Sequence, residues 1–236
     1  MQQIRKAEQR GQADFGWLNS RHTFSFGGYF DQAHMGFGPL RVINEDHVAA
    51  GRGFDTHGHQ DMEIISYVIS GTMAHKDSLG TGSKINPGEV QRMTAGTGVR
   101  HSEYNISDND PLHFLQIWIL PEKKGLEPGY EQKSFAEINK DNRLVLAGSR
   151  DGRNGSVTIH QDVDLYISNL RDNARVSHPL APGRKLWLQI VQGQLAANGV
   201  HLTRGDGFAL ENTTDQIMPV KLHSTAADIL LFDMTP

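Results

Sequence analysis

The most informative stretch of this sequence is GRGFDTHGHQDME, residues 51–63. Its histidines His57 and His59 are two residues apart, and side chains at that spacing share one face of a β-strand, about 6–7 Å apart along the chain. Two imidazoles arranged in this way can bind one metal ion through bonds of about 2.0–2.1 Å. The pair alone is a weak signal, because two exposed histidines in a polar loop have the same spacing.

A second segment, TAGTGVRHSEYN (residues 94–105), repeats this spacing. Its Gly96-Thr97-Gly98 turn leads into a segment in which His101 and Glu103 are two residues apart and therefore share one strand face. Two such pairs in one small β-domain are typical of adjacent strands that face a common ion. The sequence thus predicts a nitrogen-rich metal site that leaves coordination positions for water or substrate.

The carboxylate of this site is not determined by spacing. Glu103 lies on the face of His101, but Glu63 would lie on the face of His57 and His59 if the strand were regular. Both carboxylates remain candidates at this point.

Short apolar segments separated by glycine-rich turns predict an all-β protein. Residues 64–69, 115–120 and 186–191 are rich in β-branched or aromatic side chains and are bounded by turn residues. Only Ser134–Ile138 suggests a turn of helix, because Ser134 and Glu137 have the spacing of a capping box. Strands at this density without alternating helices favour a sandwich or a barrel.

An internal repeat predicts that the domain is duplicated. A strand at 67–71 leads to a tight turn at 86–89, and a strand at 189–193 leads through the hairpin 198–199 to a similar turn at 203–206.

We expect the two domains to meet within 121–142, where proline, glycine and charged residues interrupt the apolar segments. We assign residues 1–130 to a metal-binding N-terminal domain and residues 131–236 to a C-terminal domain without a metal site.

The composition excludes several classes of function. The chain has 236 residues, a net charge of -4 and no cysteine, so disulfides and thiolate chemistry are absent. Acidic and basic residues are interspersed, which gives no indication of nucleic-acid binding. The N-terminus has no apolar signal segment and the longest apolar run, 229–232, is too short to cross a membrane, so we expect a cytoplasmic protein.

Together these segments resemble the cupin superfamily and, within it, the pirin family. The stretch from Gly51 through Glu63 to Gly71 resembles the first cupin motif, although its last interval is one residue longer than usual. The segment Gly98-x2-His101-x3-Asn105 resembles the second cupin motif, with Gly96 where cupins often have proline. The segments that resemble pirins more specifically are 16–18, 22–27, 36–46, 93–96 and 101–103.

The resemblance implies two tandem cupin domains with one divalent transition metal in the N-terminal domain, bound by His57, His59, His101 and Glu103. It implies iron, Fe(II), with copper, nickel, manganese or zinc as alternatives. In the C-terminal half, His178 falls near the His-x-His position, but Leu180 takes the place of its partner. We therefore expect that half to be metal-free.

Pirin-like bacterial proteins are associated with quercetin 2,3-dioxygenase activity, so the resemblance implies a flavonol substrate, O2 and a monomer. Glu103 would then be the catalytic base that takes the proton of the flavonol hydroxyl. Two other functions stay open. One is a regulator whose metal state alters a surface that docks a protein partner, and the other is a non-oxygenase cupin that binds a small ligand.

Overall fold

The structure is a computed structural model that describes residues 2–236, and almost all of its regular structure is β-strand. The strands are β1 (Gln2–Arg5), β2 (Gly11–Asp14), β3 (Leu18–His22), β4 (Leu40–Val48), β5 (Gly53–His59), β6 (Glu63–Ser70), β7 (Met73–Asp77), β8 (Gly82–Ile85), β9 (Glu89–Thr94), β10 (Val99–Asn105), β11 (Leu112–Ile119), β12 (Gly129–Ser134), β13 (Val145–Ser149), β14 (Val157–Thr158), β15 (Val163–Leu180), β16 (Lys185–Ala197), β17 (Val200–Thr203), β18 (Gly207–Glu211) and β19 (Met218–Met234). Over the same residues the helices are the short 3-10 turns Ala7–Gln9 and Arg153–Gly155. No described helix is long and apolar enough to cross a membrane.

The strands form three sheets, in agreement with the predicted all-β fold. The N-terminal half contains a seven-stranded sheet of order β12-β9-β6-β11-β4-β3-β2 and a four-stranded sheet of order β5-β10-β7-β8. The C-terminal half forms an eight-stranded sheet, which β1 joins by pairing with β18. Strand β12 runs through residue 130 and pairs with β9 of the N-terminal half. The division of the chain at residue 130 stays a prediction.

The repeat seen in the sequence corresponds to glycines with similar backbone conformations in the two halves. Gly71 lies just after the end of β6 with φ of 82°, and Gly193 lies within β16 with φ of 73°. Gly88 and Gly205 lie in turns with φ of 86° and 83°. Residues with a side chain rarely adopt this left-handed region. At Gly193 a Cβ would also lie 2.0 Å from the carbonyl oxygen of Ala226. Glycine at these positions is therefore required by the backbone.

The seven-stranded sheet is buried on both faces. Its outer face packs against the C-terminal sheet, where Ile43, Ile65 and Ile117 share one apolar cluster with Leu165 and Phe232. Its inner face packs against the four-stranded sheet. The main apolar side chains of that inner layer are Leu18, Val48, Val68, Met73, Ile85, Leu112 and Phe114. The interior of the C-terminal half is filled by a separate cluster that includes Leu170, Leu186, Leu188, Phe208 and Leu231.

The helical turn predicted at Ser134–Ile138 is wrong. Ser134 is the last residue of β12, and the chain then bends without forming a helix. Phe135 is fully buried in the core between the halves, and its backbone N–H donates to the carbonyl of Gly88. A capping box without a longer amphipathic segment does not offset the cost of helix nucleation, so the burial of Phe135 decides the conformation.

Glu45 connects the two halves on the outer face of β4. Its carboxylate accepts hydrogen bonds from Arg10 at 2.8 Å, Arg204 of the C-terminal half at 2.9 Å and His113 at 3.0 Å. Burial by itself would raise the pKa of Glu45, but the His113 hydrogen bond and the Arg10 and Arg204 guanidiniums outweigh it and hold the pKa well below its usual range. A carboxyl whose pKa is lowered by folding stabilises the folded state above its unfolded pKa, and this stabilisation is lost as the pH falls.

We predict that Glu45→Gln lowers the free energy of unfolding by about 3 kcal/mol at pH 7, because it leaves the buried Arg10 guanidinium without its charged partner. The difference from wild type should shrink as the pH falls from about 5 towards 3, where the unfolded state binds a proton at Glu45. Urea unfolding at each pH measures both effects. Glu122→Gln, which removes an exposed ion pair with Arg150, is the matched control and should change stability by less than about 1 kcal/mol. Equal effects of the two substitutions would contradict the prediction.

Candidate metal centre and its cavity

The three predicted histidines converge on the inner side of the four-stranded sheet. His57 and His59 lie on β5, His101 lies on β10, and the antiparallel pairing of the two strands sets His101 opposite His57. One ring nitrogen from each histidine lies within 4.8 Å of the other two. The ring centroids of His57 and His101 are 4.5 Å apart. The i, i+2 spacing on adjacent strands therefore brings the three imidazoles together.

The environment of these imidazoles keeps them in the metal-binding state. Nδ1 of His57 lies 2.8 Å from the carbonyl oxygen of Asp55, so it donates a hydrogen bond there and leaves Nε2 with a free lone pair. Burial, with the neighbouring histidines, lowers the pKa of His59 and of His101 to about 3. Neutral imidazole is the form that binds a metal ion.

The surroundings of His101 are those expected for a metal ligand. Its side chain is 1% exposed, and neither ring nitrogen has a hydrogen-bond partner among the described residues. A buried polar atom without a partner costs about 1–3 kcal/mol. A cation shared by three converging lone pairs satisfies such an atom, so the residues present fit one divalent metal ion.

Glu103 faces the same cavity as His57 and His59. Both of its oxygens accept a hydrogen bond from Nε2 of Gln116, at 3.1 and 2.9 Å, and Oγ of Ser66 lies 3.2 Å from Oε1. Burial raises the pKa of the Glu103 carboxyl. The carboxylate is outside the group of three nitrogen donors that lie within 4.8 Å of one another. Its role as a ligand stays a prediction.

Glu63, the other candidate carboxylate, points away from the three histidines. It is fully buried, and it accepts hydrogen bonds from the backbone N–H and the Nδ1 of His160, both at 3.1 Å. The strand that carries His57 and His59 ends at His59, and a turn with Asp61 at φ 50° separates it from β6. The regular strand on which Glu63 would share the face of His57 is therefore interrupted.

The remaining histidines near the site are not arranged as ligands of the same ion. His75 is buried beside His101, with ring centroids 5.2 Å apart, but it does not line the cavity. His113 and His47 lie near Glu45 on the outer face, where their donor atoms form a second group within 4.8 Å. The Arg10 and Arg204 guanidiniums on Glu45 oppose a cation there. In the described part of the C-terminal half no such group occurs.

A cavity of about 340 Å³ opens beside the histidines. This is within the usual range for small-molecule sites, about 300–1,000 Å³. Aromatic and apolar side chains supply most of its exposed surface, and several polar side chains line it as well. The apolar lining residues are Ala13, Phe15, Leu18, Phe26, Phe54 and Trp118, and the polar ones other than the metal-site residues are Ser20, His22, Asn44, Asp46 and Gln116.

Sequence reasoning missed the residues that hold Glu103. Ser66 interrupts the apolar run 64–69 and Gln116 interrupts 115–120, each at a position whose neighbours are buried. A polar side chain inside an apolar strand is the signal that would have identified them, because buried polar groups require partners. Phe26, for which the sequence gives no comparable signal, also lies in the cavity wall.

Two tandem all-β halves, one of which carries three converging imidazoles beside a cavity, define a bicupin of the metal-binding class. Residues 3–119 match the family model named Pirin, and residues 146–234 match the Quercetinase C-terminal cupin domain. The chain belongs to the pirin family, as its sequence motifs predict.

Individual relatives agree with this assignment. The chain is 46% identical to a quercetin 2,3-dioxygenase of Escherichia coli (strain K12), over 99% of this chain and 98% of that protein. It is 42% identical to a putative quercetin 2,3-dioxygenase, PM1685, of Pasteurella multocida, over 99% of this chain and 100% of that protein. The crystal structure of the bacterial pirin YhhW from Escherichia coli in complex with nickel(II) superposes with a TM-score of 0.93, at 46% identity and with 100% of both chains covered.

We predict that His101→Ala lowers the affinity for a divalent metal by more than about 100-fold, because even the loss of a residue that supports a ligand costs 10- to 100-fold. Calorimetric titration of the metal-free protein with Ni²⁺ measures the affinity, and elemental analysis gives the stoichiometry. His201→Ala, which changes an exposed histidine of the C-terminal half, is the control and should bind like wild type. Wild-type affinity in His101→Ala would show that this histidine is not a ligand.

Proposed function

We propose that this protein is a metal-dependent dioxygenase that cleaves a flavonol such as quercetin with O2. The observation that carries the proposal is the position of three converging imidazoles and a buried carboxyl group beside a cavity whose exposed surface is mostly aromatic and apolar. Two full-length relatives that are 46% identical to this chain are named quercetin 2,3-dioxygenase, which supports the same activity.

We propose His57, His59, His101 and Glu103 as the ligands of one ion and Fe(II) as the native metal, with copper, nickel, manganese and zinc as alternatives. Nitrogen and carboxylate donors suit all of these ions, so the donor set does not choose among them. When bound, such an ion lowers the pKa of a hydroxyl that binds to it and, for a redox-active metal, exchanges electrons with dioxygen.

The cavity walls supply binding and orientation. Phe26, Phe54 and Trp118 offer flat apolar surface to the fused rings of a flavonol, and they keep water away from the reacting carbons. Glu103 accepts the proton of the 3-hydroxyl on one of its oxygens, as a general base. Gln116 and Ser66 hold the Glu103 carboxylate in place through their hydrogen bonds.

The reaction balances without another reactant. Two carbon–carbon bonds of the central ring break, namely those that flank the carbon bearing the 3-hydroxyl. Both atoms of O2 enter the ring-opened product, and the excised carbon leaves with its own oxygen as carbon monoxide.

The lining of the cavity disfavours one of the alternative functions. A sugar-binding or isomerase cupin requires mainly polar surface for the sugar hydroxyls, whereas aromatic and apolar side chains supply most of the exposed surface of this cavity. The metal-dependent regulator remains the main rival, and the assay below separates it from the dioxygenase.

The direct test is anaerobic purification and metal analysis, followed by quercetin turnover in air with the metal-free protein and with each reconstituted ion. Turnover restored by one metal, with release of carbon monoxide, supports the dioxygenase and identifies its cofactor. Stoichiometric metal binding without turnover for any ion would overturn the dioxygenase and favour the regulator.

We predict that Glu103→Gln lowers kcat by at least about 100-fold, in the range expected for loss of a general base, while much of the metal stays bound to the three histidines. Steady-state kinetics and elemental analysis of the same preparation measure the two effects. Glu127→Gln, which neutralises an exposed carboxylate, should behave like wild type. Wild-type turnover in Glu103→Gln would exclude Glu103 as the base.

A further inference from the structure

A row of polar side chains crosses the inner face of the seven-stranded sheet, where core positions are normally apolar. In the antiparallel register His22 pairs with Asn44, and Asn44 pairs with Gln116. Ser20 pairs with Asp46 one step further along the same face. All five side chains line the cavity.

Only part of this row is accounted for by the metal centre. Gln116 uses its amide group to hold Glu103. Asn44 and Asp46 are on a different strand, β4, and neither of them hydrogen-bonds Glu103 or a histidine of the metal centre. Their presence in the wall therefore needs another explanation.

Asn44 and Asp46 each carry an unsatisfied acceptor. Their side chains are 3% and 4% exposed, and Oδ1 of each has no hydrogen-bond partner among the described residues. The Ser20 hydroxyl supplies a hydrogen bond to the Asp46 carboxyl, which leaves its Oδ1 free. Each unsatisfied buried acceptor costs about 1–3 kcal/mol. Proteins retain few such atoms. One physical reason to retain them is that a bound ligand supplies the missing hydrogen bond.

The chemistry of the ligand follows from these atoms. The amide oxygen of Asn44 accepts hydrogen bonds. Burial raises the pKa of the Asp46 carboxyl to about 7, so this carboxyl accepts a hydrogen bond when ionised and can also donate one when protonated. A hydroxyl both donates and accepts, so it completes both side chains. Apart from this polar row and the metal-site residues, the side chains that line the cavity are apolar or aromatic, and a cation is already provided for at the three histidines. A neutral hydroxyl on an aromatic ring matches both the acceptors and the apolar walls.

We propose that Asn44 and Asp46 form a subsite for phenolic hydroxyls of the substrate, in which hydrogen bonds to their side-chain oxygens fix the orientation of the flavonol relative to Glu103. This inference rests on the proposed function. The two residues are two apart on one strand face, so their side chains start about 6–7 Å apart and can serve two hydroxyls. A flavonol without these hydroxyls leaves the acceptors unpaired in the complex and binds less well.

The test compares flavonols that differ in their ring hydroxyls. The panel is quercetin, a flavonol without hydroxyls on the pendant ring, and a flavonol without hydroxyls on the fused ring. The readouts are kcat/KM in air and affinity by anaerobic calorimetry with the metal-loaded protein. For wild type we expect kcat/KM and affinity to be about 10- to 100-fold lower for one of the two analogues than for quercetin. That analogue identifies the ring that reaches the subsite.

The variants are Asn44→Leu and Asp46→Leu, which remove the acceptors at similar volume, and Asp46→Asn, which keeps an acceptor oxygen. We expect the leucine variants to lose most of the discrimination between quercetin and that analogue, and Asp46→Asn to retain it. Gln91→Leu is the matched control. Gln91 is a buried amide with an unpaired Oε1, but it does not line the cavity, and its variant should discriminate as wild type does.

The outcomes separate the two proposals. Loss of discrimination in the leucine variants, with folding confirmed by circular dichroism and metal content unchanged, supports the subsite. Wild-type turnover with unchanged discrimination in the leucine variants overturns the subsite and leaves the dioxygenase standing. A wild-type protein that neither binds nor converts any flavonol overturns the proposed function and the subsite with it. If Asp46→Leu does not fold, Asn44→Leu and Asp46→Asn decide the question by the same criteria.

Discussion

The burial of the seven-stranded sheet on both faces is the constraint on which the rest of this structure depends. Side chains alternate along each strand, so one strand must satisfy two different environments. On β4, Ile43 packs in the core between the halves and Glu45 binds the C-terminal Arg204, whereas Asn44 and Asp46 point into the cavity. Because a slip of one residue would exchange these faces, the register of this sheet is strongly specified.

As a result of this arrangement, the interiors of the two halves differ. The C-terminal half fills its own interior with aliphatic side chains and covers the outer face of the seven-stranded sheet. The N-terminal half can therefore carry polar groups and a cavity in its interior, because much of its apolar burial occurs at the shared face. A duplicated domain in which one copy is packed and the other is functional is consistent with this division.

The candidate metal centre combines the two N-terminal sheets. The imidazoles come from β5 and β10 of the four-stranded sheet, while the groups that hold Glu103 come from β11 and β6 of the seven-stranded sheet. Glu103 thus lies where the two sheets meet across the cavity. The four-stranded sheet carries both Glu103 and the histidines, and its packing against the seven-stranded sheet fixes the Glu103 side chain through Gln116 and Ser66.

Much of the fold and of the site was predictable because the signals are local. The two i, i+2 pairs of candidate ligands and the repeated glycines act over a few residues, and the strands at 64–69, 115–120 and 186–191 are each contained in one apolar run. Local signals failed where a distant contact decided the outcome. The burial of Phe135 between the halves replaced the helical turn expected after Ser134, and the turn at Asp61 moved Glu63 to the opposite face, where it meets His160.

The sequence by itself determined the all-β class, the membership of the pirin family and the identity of the three histidines that converge. Strand periodicity and ligand spacing are properties of short segments of consecutive residues. Only the tertiary structure decided which buried polar side chains meet. Ser66, Gln116 and Glu103 are brought together from three strands, and Asn44 and Asp46 turn towards the cavity, because strand pairing and sheet packing connect residues that are far apart in the chain. Those connections depend on register and on the burial of whole faces, which no short segment of sequence encodes.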